Sequence, residues 1–269
     1  MWVEGFVLGL IQGVTEWLPI SSEGMIILAK VHLFGSHESV LAMVHQALFL
    51  HMGTFIAALI YFRSDVRRLL RGLFHYSAAE PATRRILIFL FITTLISGLI
   101  GLGLLQLLSK AELGAAAGKW VTGGIGLLLI VTGLLQLKST RGGQKQDADL
   151  LPADGLLLGV TQGFAVLPGF SRSGLTVAAL LLRGFQKHEA LRLSFLMSLP
   201  LAAAPLILAG GLPLGGECLV VSLSMLISVV TAAVVGYATI HLLMIWAKAV
   251  QFGWFVIGFG LLSILAALI

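Results

Sequence analysis

Uninterrupted apolar runs constrain this chain more than any other feature. Ile86–Leu108 is 23 residues without a charge, Leu193–Gly216 is 24, and Cys218–Ala247 is 30 with His241 its one titratable imidazole. Ser39–Phe62, Trp120–Leu137 and Ala249–Ile269 add runs of 24, 18 and 21 residues. About 20 helical residues cross the roughly 30 Å of bilayer hydrocarbon, so these six segments read as full transmembrane helices. They lack the ten-residue alternation of a membrane barrel strand. The charge content agrees: 11% of the 269 residues are charged, where a soluble domain carries about 25%. That excludes a soluble Rossmann or barrel enzyme, a disordered tail and a secreted disulfide scaffold. Cys218 is the single cysteine, so no internal bridge or thiolate metal site is expected. Met1-Trp2-Val3-Glu4 has no basic stretch before an apolar core, and no removable signal peptide is expected.

The basic residues give one orientation. The loop Arg63–Arg85 holds Arg63, Arg67, Arg68, Arg71, Arg84 and Arg85. With that loop inside and Arg172 set aside, alternation of the spans puts 13 basic residues inside and 3 (Lys30, Lys110, Lys119) outside. Cytoplasmic loops are enriched in this way. The net charge of +5 is therefore a topology signal and implies no nucleic-acid partner. The arginine loop could also meet anionic headgroups.

Two further segments are apolar at their ends and polar in their middles. Gly5–Lys30 holds Gln12, Glu16, Pro19, Ser21, Ser22 and Glu23; Gly155–Leu182 holds Gln162, Pro168, Ser171, Arg172, Ser173 and Thr176. Irregular backbone and charge at membrane depth survive only inside protein or beside a wet cavity. Both segments read as re-entrant helical hairpins. They align without a gap at an offset of 150: Gly5, Leu8, Gly9, Gln12, Gly13, Ser21 and Gly24 match Gly155, Leu158, Gly159, Gln162, Gly163, Ser171 and Gly174. Each is followed by three spans, and an odd number inverts the second copy. The expected fold is an all-α polytopic membrane protein built as an inverted-topology repeat. Residues 1–138 form the first repeat (hairpin 5–30), 139–154 a polar linker, and 155–269 the second repeat (hairpin 155–182). They make one integrated membrane domain, with a site where the broken segments meet.

Gln12 and Glu16 are four residues apart and share a helix face. A carboxylate with an amide oxygen can hold a hard divalent cation, or Glu16 can serve as a base. Arg172, flanked by Ser171 and Ser173 on a Gly/Pro-shaped turn, offers a fork and backbone N–H groups suited to phosphate. A serine hydroxyl is a nucleophile or a phosphate donor. Bland alternatives stand beside these. Glu16 and Arg172 can be a structural ion pair. Ser21 and Ser173 can be helix caps. Glu23 is a second acid in the site or a surface residue at the hairpin mouth. His45 and His51 lie about 240° apart around a helix and form no ligand pair; each reads better as a packing or hydrogen-bonding residue.

Gln12-Gly-Val-Thr-Glu16-Trp-Leu-Pro-Ile-Ser21-Ser22-Glu23-Gly24, with Pro168-Gly-Phe-Ser171-Arg172-Ser173-Gly174-Leu-Thr176, resembles the undecaprenyl-diphosphatase, or bacitracin-resistance protein, family. Leu50-His51-Met-Gly53-Thr54 and Leu193-Ser194-Phe195-Leu196 fit it too. The resemblance implies hydrolysis of undecaprenyl diphosphate, or a related polyprenyl diphosphate, to the monophosphate and inorganic phosphate, which recycles the lipid carrier of cell-wall synthesis. It implies a divalent cation, magnesium or calcium, and a multi-pass protein of the cytoplasmic membrane, surrounded by lipid. Glu16 falls on the family's essential acid, Gln12 on the first position of its acidic motif, Ser22 on the proposed nucleophile or phosphate ligand, and Arg172 on the phosphate-binding arginine. Ser21, Ser171, Ser173, Gly174 and Thr176 fall beside them as substrate contacts. Three departures are evident: Met25 stands where the family commonly has histidine, Glu23 where Ser or Thr is usual, and Gln12 where Glu is common, which leaves the cation one charge fewer unless Glu23 compensates. A polyprenyl-phosphate flippase remains the alternative function, and a homodimer is left open.

Overall fold

In the computed structural model, the described residues are 2–110, 118–138, 143–167, 169–208, 222–246 and 253–268. Cys218, Pro168, the first residues of the 139–154 linker and the ends of several expected spans lie outside them; so does the side chain of His45.

Eleven α-helices make up the described fold: α1 (Trp2–Thr15), α2 (Ser22–His32), α3 (Val40–Tyr61), α4 (Arg63–Phe74), α5 (Pro81–Lys110), α6 (Gly118–Lys138), α7 (Pro152–Phe164), α8 (Arg172–Leu182), α9 (Lys187–Leu208), α10 (Leu223–Trp246) and α11 (Gly253–Leu268). Three stretches, Ala42–Tyr61, Pro81–Leu107 and Leu223–Trp246, are long and apolar enough to cross a bilayer. On these helices large apolar side chains face outward: Phe91 is 69% exposed on α5 and Val234 67% on α10. Such a surface suits lipid, not water. The chain is an all-helical membrane protein. The loop expected at 63–85 is in fact mostly α4. Arg63, Arg67 and Arg71 recur every four residues along it, which lets the helix gather its charge on one side while Leu69 and Gly72 are buried.

The two polar-centred segments each fold as helix, turn, helix. Glu16–Ile20 joins α1 to α2, and the turn after Phe164 joins α7 to α8. Each second helix starts the same way. Ser21 caps α2 by accepting from the Gly24 N–H, and Ser171 caps α8 by accepting from the Gly174 N–H, both at 3.1 Å. These are corresponding positions at the 150-residue offset.

Packing crosses between the two halves of the chain. Helix α1 lies along α10, α7 along α5, and α6 along α11. Glycine makes the first two contacts close enough. A Cβ on Gly9 would sit 2.4 Å from the Ser228 carbonyl oxygen, and one on Gly159 2.7 Å from the Ile96 Cβ. Small residues at such crossings let backbones approach in lipid, where no hydrophobic force drives helices together. The corresponding triplets Gly5/Gly9/Gly13 and Gly155/Gly159/Gly163 thus serve corresponding contacts on opposite halves.

The linker is a packed element. Lys145 and Phe185 form an isolated parallel bridge, and Asp147 pairs with Arg192. Lys30, the last residue of the expected hairpin 5–30, lies in α2 at 1% exposure, paired with Glu38 and Gln46. Burial of an ammonium requires such partners.

Candidate active site

The two turns meet tip to tip. The Gly169 N–H donates to Ser21 Oγ at 3.0 Å, and Ser173 Oγ donates to the Leu18 carbonyl at 2.7 Å. Gln136 Nε2, from α6, donates to the Pro19 carbonyl at 2.9 Å. Gly169 holds φ +107°, a backbone conformation that excludes most side chains, and a Cβ there would strike Ile125. The junction therefore depends on that glycine.

A cleft opens beside this junction. Ile20, Ala165 and Phe170 are its apolar walls; Glu16, Ser21, Ser22, Glu23, His51, Ser171, Arg172 and Ser173 line the rest. The N-terminal ends of α2 and α8 both border it, because Ser21, Ser22, Ser171 and Arg172 are their first residues. Helix N-termini present free N–H groups and positive dipole ends, which favour an anion.

Glu16 is the hub. Its Oε1 receives the Arg172 guanidinium. Its Oε2 receives Gln12 Nε2 at 3.0 Å, Ser22 Oγ at 2.8 Å and His51 Nε2 at 3.0 Å. His51 Nδ1 lies 2.7 Å from the Ala47 carbonyl oxygen. Both ring nitrogens thus face oxygens that only accept, and the ring satisfies both contacts as the imidazolium. Arg172 also donates to the Ser194 carbonyl at 3.2 Å and stacks 5.7 Å from the Trp17 ring centroid. A carboxylate at 7% exposure is stable here because two cations and two neutral donors surround it.

The structure brings Glu16, Ser22, Arg172, Ser21, Ser171 and Ser173 together on the cleft. Gln12 sits behind Glu16, off the wall. Thr176 Oγ1 donates to the Arg172 carbonyl at 2.8 Å and lies 2.6 Å from Ser194 Oγ, bracing α8 behind the arginine. Gly174 serves the Ser171 cap. His51, read as a packing or hydrogen-bonding residue, is a hydrogen-bonding one: the fold of α3 carries it onto Glu16. One expectation is corrected. The cap role offered to Ser173 belongs to Ser171, and Ser173 bonds across to the first turn instead. The Gln12 amide turns its N–H to Glu16, and its Oε1 is buried without a hydrogen-bond partner. Glu23, left between two readings, is buried on the cleft wall.

Sequence reasoning missed Ser194, Trp17 and Gly169 as site residues. All three lay in stretches already marked by resemblance, a usable signal.

Comparisons with known proteins now bear on this geometry. Residues 5–265 match the family model for the bacitracin resistance protein BacA. A protein of Methanococcoides burtonii named undecaprenyl-diphosphatase is 41% identical, the match covering 97% of each chain. Relatives of the same name from Haloarcula marismortui and Methanothrix thermoacetophila are 38% and 36% identical, over 98% and 97% of this chain and 96% and 95% of theirs.

Proposed function

The chain belongs to the bacitracin resistance protein BacA family, and from that premise we propose that it hydrolyses the terminal phosphate from undecaprenyl diphosphate or a related polyprenyl diphosphate. The observation that carries this is the ion pair of Glu16 and Arg172 at the meeting of two hydroxyl-bearing helix N-termini. Relatives along nearly the whole chain are named for that hydrolysis, not for transport. The chain acts as a multi-pass protein of the cytoplasmic membrane with the prenyl tail among its helices. The two hairpins are re-entrant and belong to repeats 1–138 and 155–269 of opposite topology; the crossed packing of α1 on α10 and α7 on α5 supports that reading.

Arg172 neutralises the diphosphate, as a guanidinium fork matches phosphate oxygens. The N-terminal N–H groups of α2 and α8 add donors for charge that spreads over the phosphoryl oxygens in the transition state. Ser22 Oγ attacks the terminal phosphorus while its proton passes to Glu16 Oε2. The bridging P–O bond breaks and the polyprenyl monophosphate leaves. Water then attacks the serine phosphate, the serine oxygen regains its proton, and inorganic phosphate departs. His51, Gln12 and Arg172 fix the Glu16 carboxylate for this role.

The resemblance implies a divalent cation, and the donors fit one. Glu23 Oε2 is buried without a hydrogen-bond partner, and carboxylate with hydroxyl oxygens suits a hard cation. Glu23, with Ser22 beside it, would hold the ion. Bound there, the cation supplies charge neutralisation on the phosphate oxygens.

The test is phosphate release from a polyprenyl diphosphate by the purified protein with magnesium. The wild type releases phosphate and retains the monophosphate lipid, while Glu16→Gln and Arg172→Ala each lose most turnover. Absence of release by the wild type overturns the activity, and unchanged turnover in both variants overturns the site.

A further inference from the structure

We infer that Glu23 is the protein ligand of a cation that enters together with the diphosphate, so that ion and substrate bind as a coupled pair; this deepens the hydrolase reading above and rests on it. Four observations carry it. Glu23 is 8% exposed and lines the cleft, and its Oε2 makes no hydrogen bond. A carboxylate oxygen held out of water without a partner is costly, so a ligand that supplies one is strongly favoured there. The nearby cations pair with partners other than Glu23: Arg172 with Glu16 and the Ser194 carbonyl, His51 with Glu16 and the Ala47 carbonyl. Among the described residues no group of three or more His, Cys, Asp and Glu is placed to hold a metal ion.

The last two points decide the mode of binding. Glu16 already faces four donors while Glu23 Oε2 faces none, so Glu23 is the carboxylate with a free oxygen to offer. One carboxylate makes no cage, and magnesium is commonly held by one or two carboxylates together with substrate phosphates and water. The missing ligands are oxygens of the diphosphate. Arg172 and His51 would also repel a lone cation, and a phosphate group between them removes that repulsion. The ion alone binds weakly and the diphosphate improves it; by linkage the ion improves the diphosphate to the same degree.

The experiment uses the full chain in lipid nanodiscs. Protein-bound manganese is followed by electron paramagnetic resonance, with and without methylenediphosphonate, whose P–C–P bridge cannot be hydrolysed. Binding is scored against the protein-free manganese–diphosphonate complex. The diphosphonate should raise manganese affinity about tenfold or more in the wild type, within the usual range of coupling energies. Glu23→Gln and Glu23→Thr should lose that gain while still binding diphosphonate in the absence of the ion. Glu23→Asp should keep it, which guards against misfolding as the cause of a loss. No gain in the wild type overturns the proposal, as does an undiminished gain in Glu23→Gln. Either result leaves phosphate release by the wild type to stand or fall separately.

Discussion

At the scale of single residues, the cleft is a problem in keeping a buried carboxylate charged. Glu16 accepts from Arg172, His51, Ser22 and Gln12. Replacing Arg172 by lysine keeps a charge but loses the fork and its stacking on Trp17. We expect Arg172→Lys to cut turnover about 100-fold, the scale of losing one transition-state donor, in the phosphate-release assay. Near-normal turnover would mean that a point charge suffices. His51→Gln keeps one donor toward Glu16 and removes the positive charge. It should lower turnover about tenfold with little change in KM, since His51 acts through Glu16; a rise in KM alone would place it on the substrate instead. Glu16 and Arg172 were legible because they are charges that topology does not explain. His51 was not. Its six-residue separation from His45 ruled out a pair on its own helix, and no spacing along α3 reports what another segment lays against it. Glu23 was undecidable from sequence for the same reason: one residue beyond Ser22, it could face the cleft or the mouth.

At the scale of helices, stability rests on close crossings that glycine permits. Gly9 meets the Ser228 carbonyl, whereas a Cβ on Gly98 or Gly101 of α5 meets nothing within 4 Å. Alanine at position 9 must therefore spread α1 from α10, at about 1–3 kcal/mol for an overpacked contact. Alanine at 98 should be neutral or better, because glycine inside a helix costs roughly 0.5–1 kcal/mol relative to alanine. Thermal unfolding of purified Gly9→Ala and Gly98→Ala variants checks this: the first lowers the midpoint and the second does not. Equal midpoints would mean that the α1–α10 contact adds little. The glycine triplets were visible as an internal repeat. That each one packs against a helix of the other half was not, because a repeat reveals likeness between segments but not the partner of either. The helix α4 was read as loop since its arginines mask a four-residue periodicity, and the burial of Lys30 was not legible because Glu38, which neutralises it, and Gln46, which accepts from it, come from later in the chain.

For the whole molecule, a cluster of charges away from the cleft fastens the halves together. Arg192 of α9 pairs with Asp65 of α4, Asp147 of the linker and Glu189 of its own helix, and Arg68 adds contacts to both aspartates. Three parts of the sequence, separated by more than forty residues each, meet at one guanidinium whose side chain is 14% exposed. Burial pushes the Glu189 carboxyl above the usual carboxylate range, against the pull of Arg192. A carboxyl raised in the folded state favours folding at low pH, and that contribution is lost as pH rises through its folded pKa. With Arg192 present, the opposing positive charge limits the loss. In Arg192→Gln, Asp65, Asp147 and Glu189 face one another with Arg68 as the one remaining guanidinium of the cluster. Breaking a buried pair costs about 3–5 kcal/mol; this cluster is partly buried, so a cost of about 1–3 kcal/mol is expected, which for a chain of this size lowers the unfolding midpoint by roughly 5 °C. The loss should be largest near neutral pH and should shrink on acidification, as the carboxyls take up protons and their mutual repulsion falls. Midpoints measured from pH 5 to 8 on both proteins test this. A pH-independent deficit would mean that Arg192 contributes packing and hydrogen bonds but no charge balance, and no deficit at all would mean that the crossed helices hold the halves without this clasp.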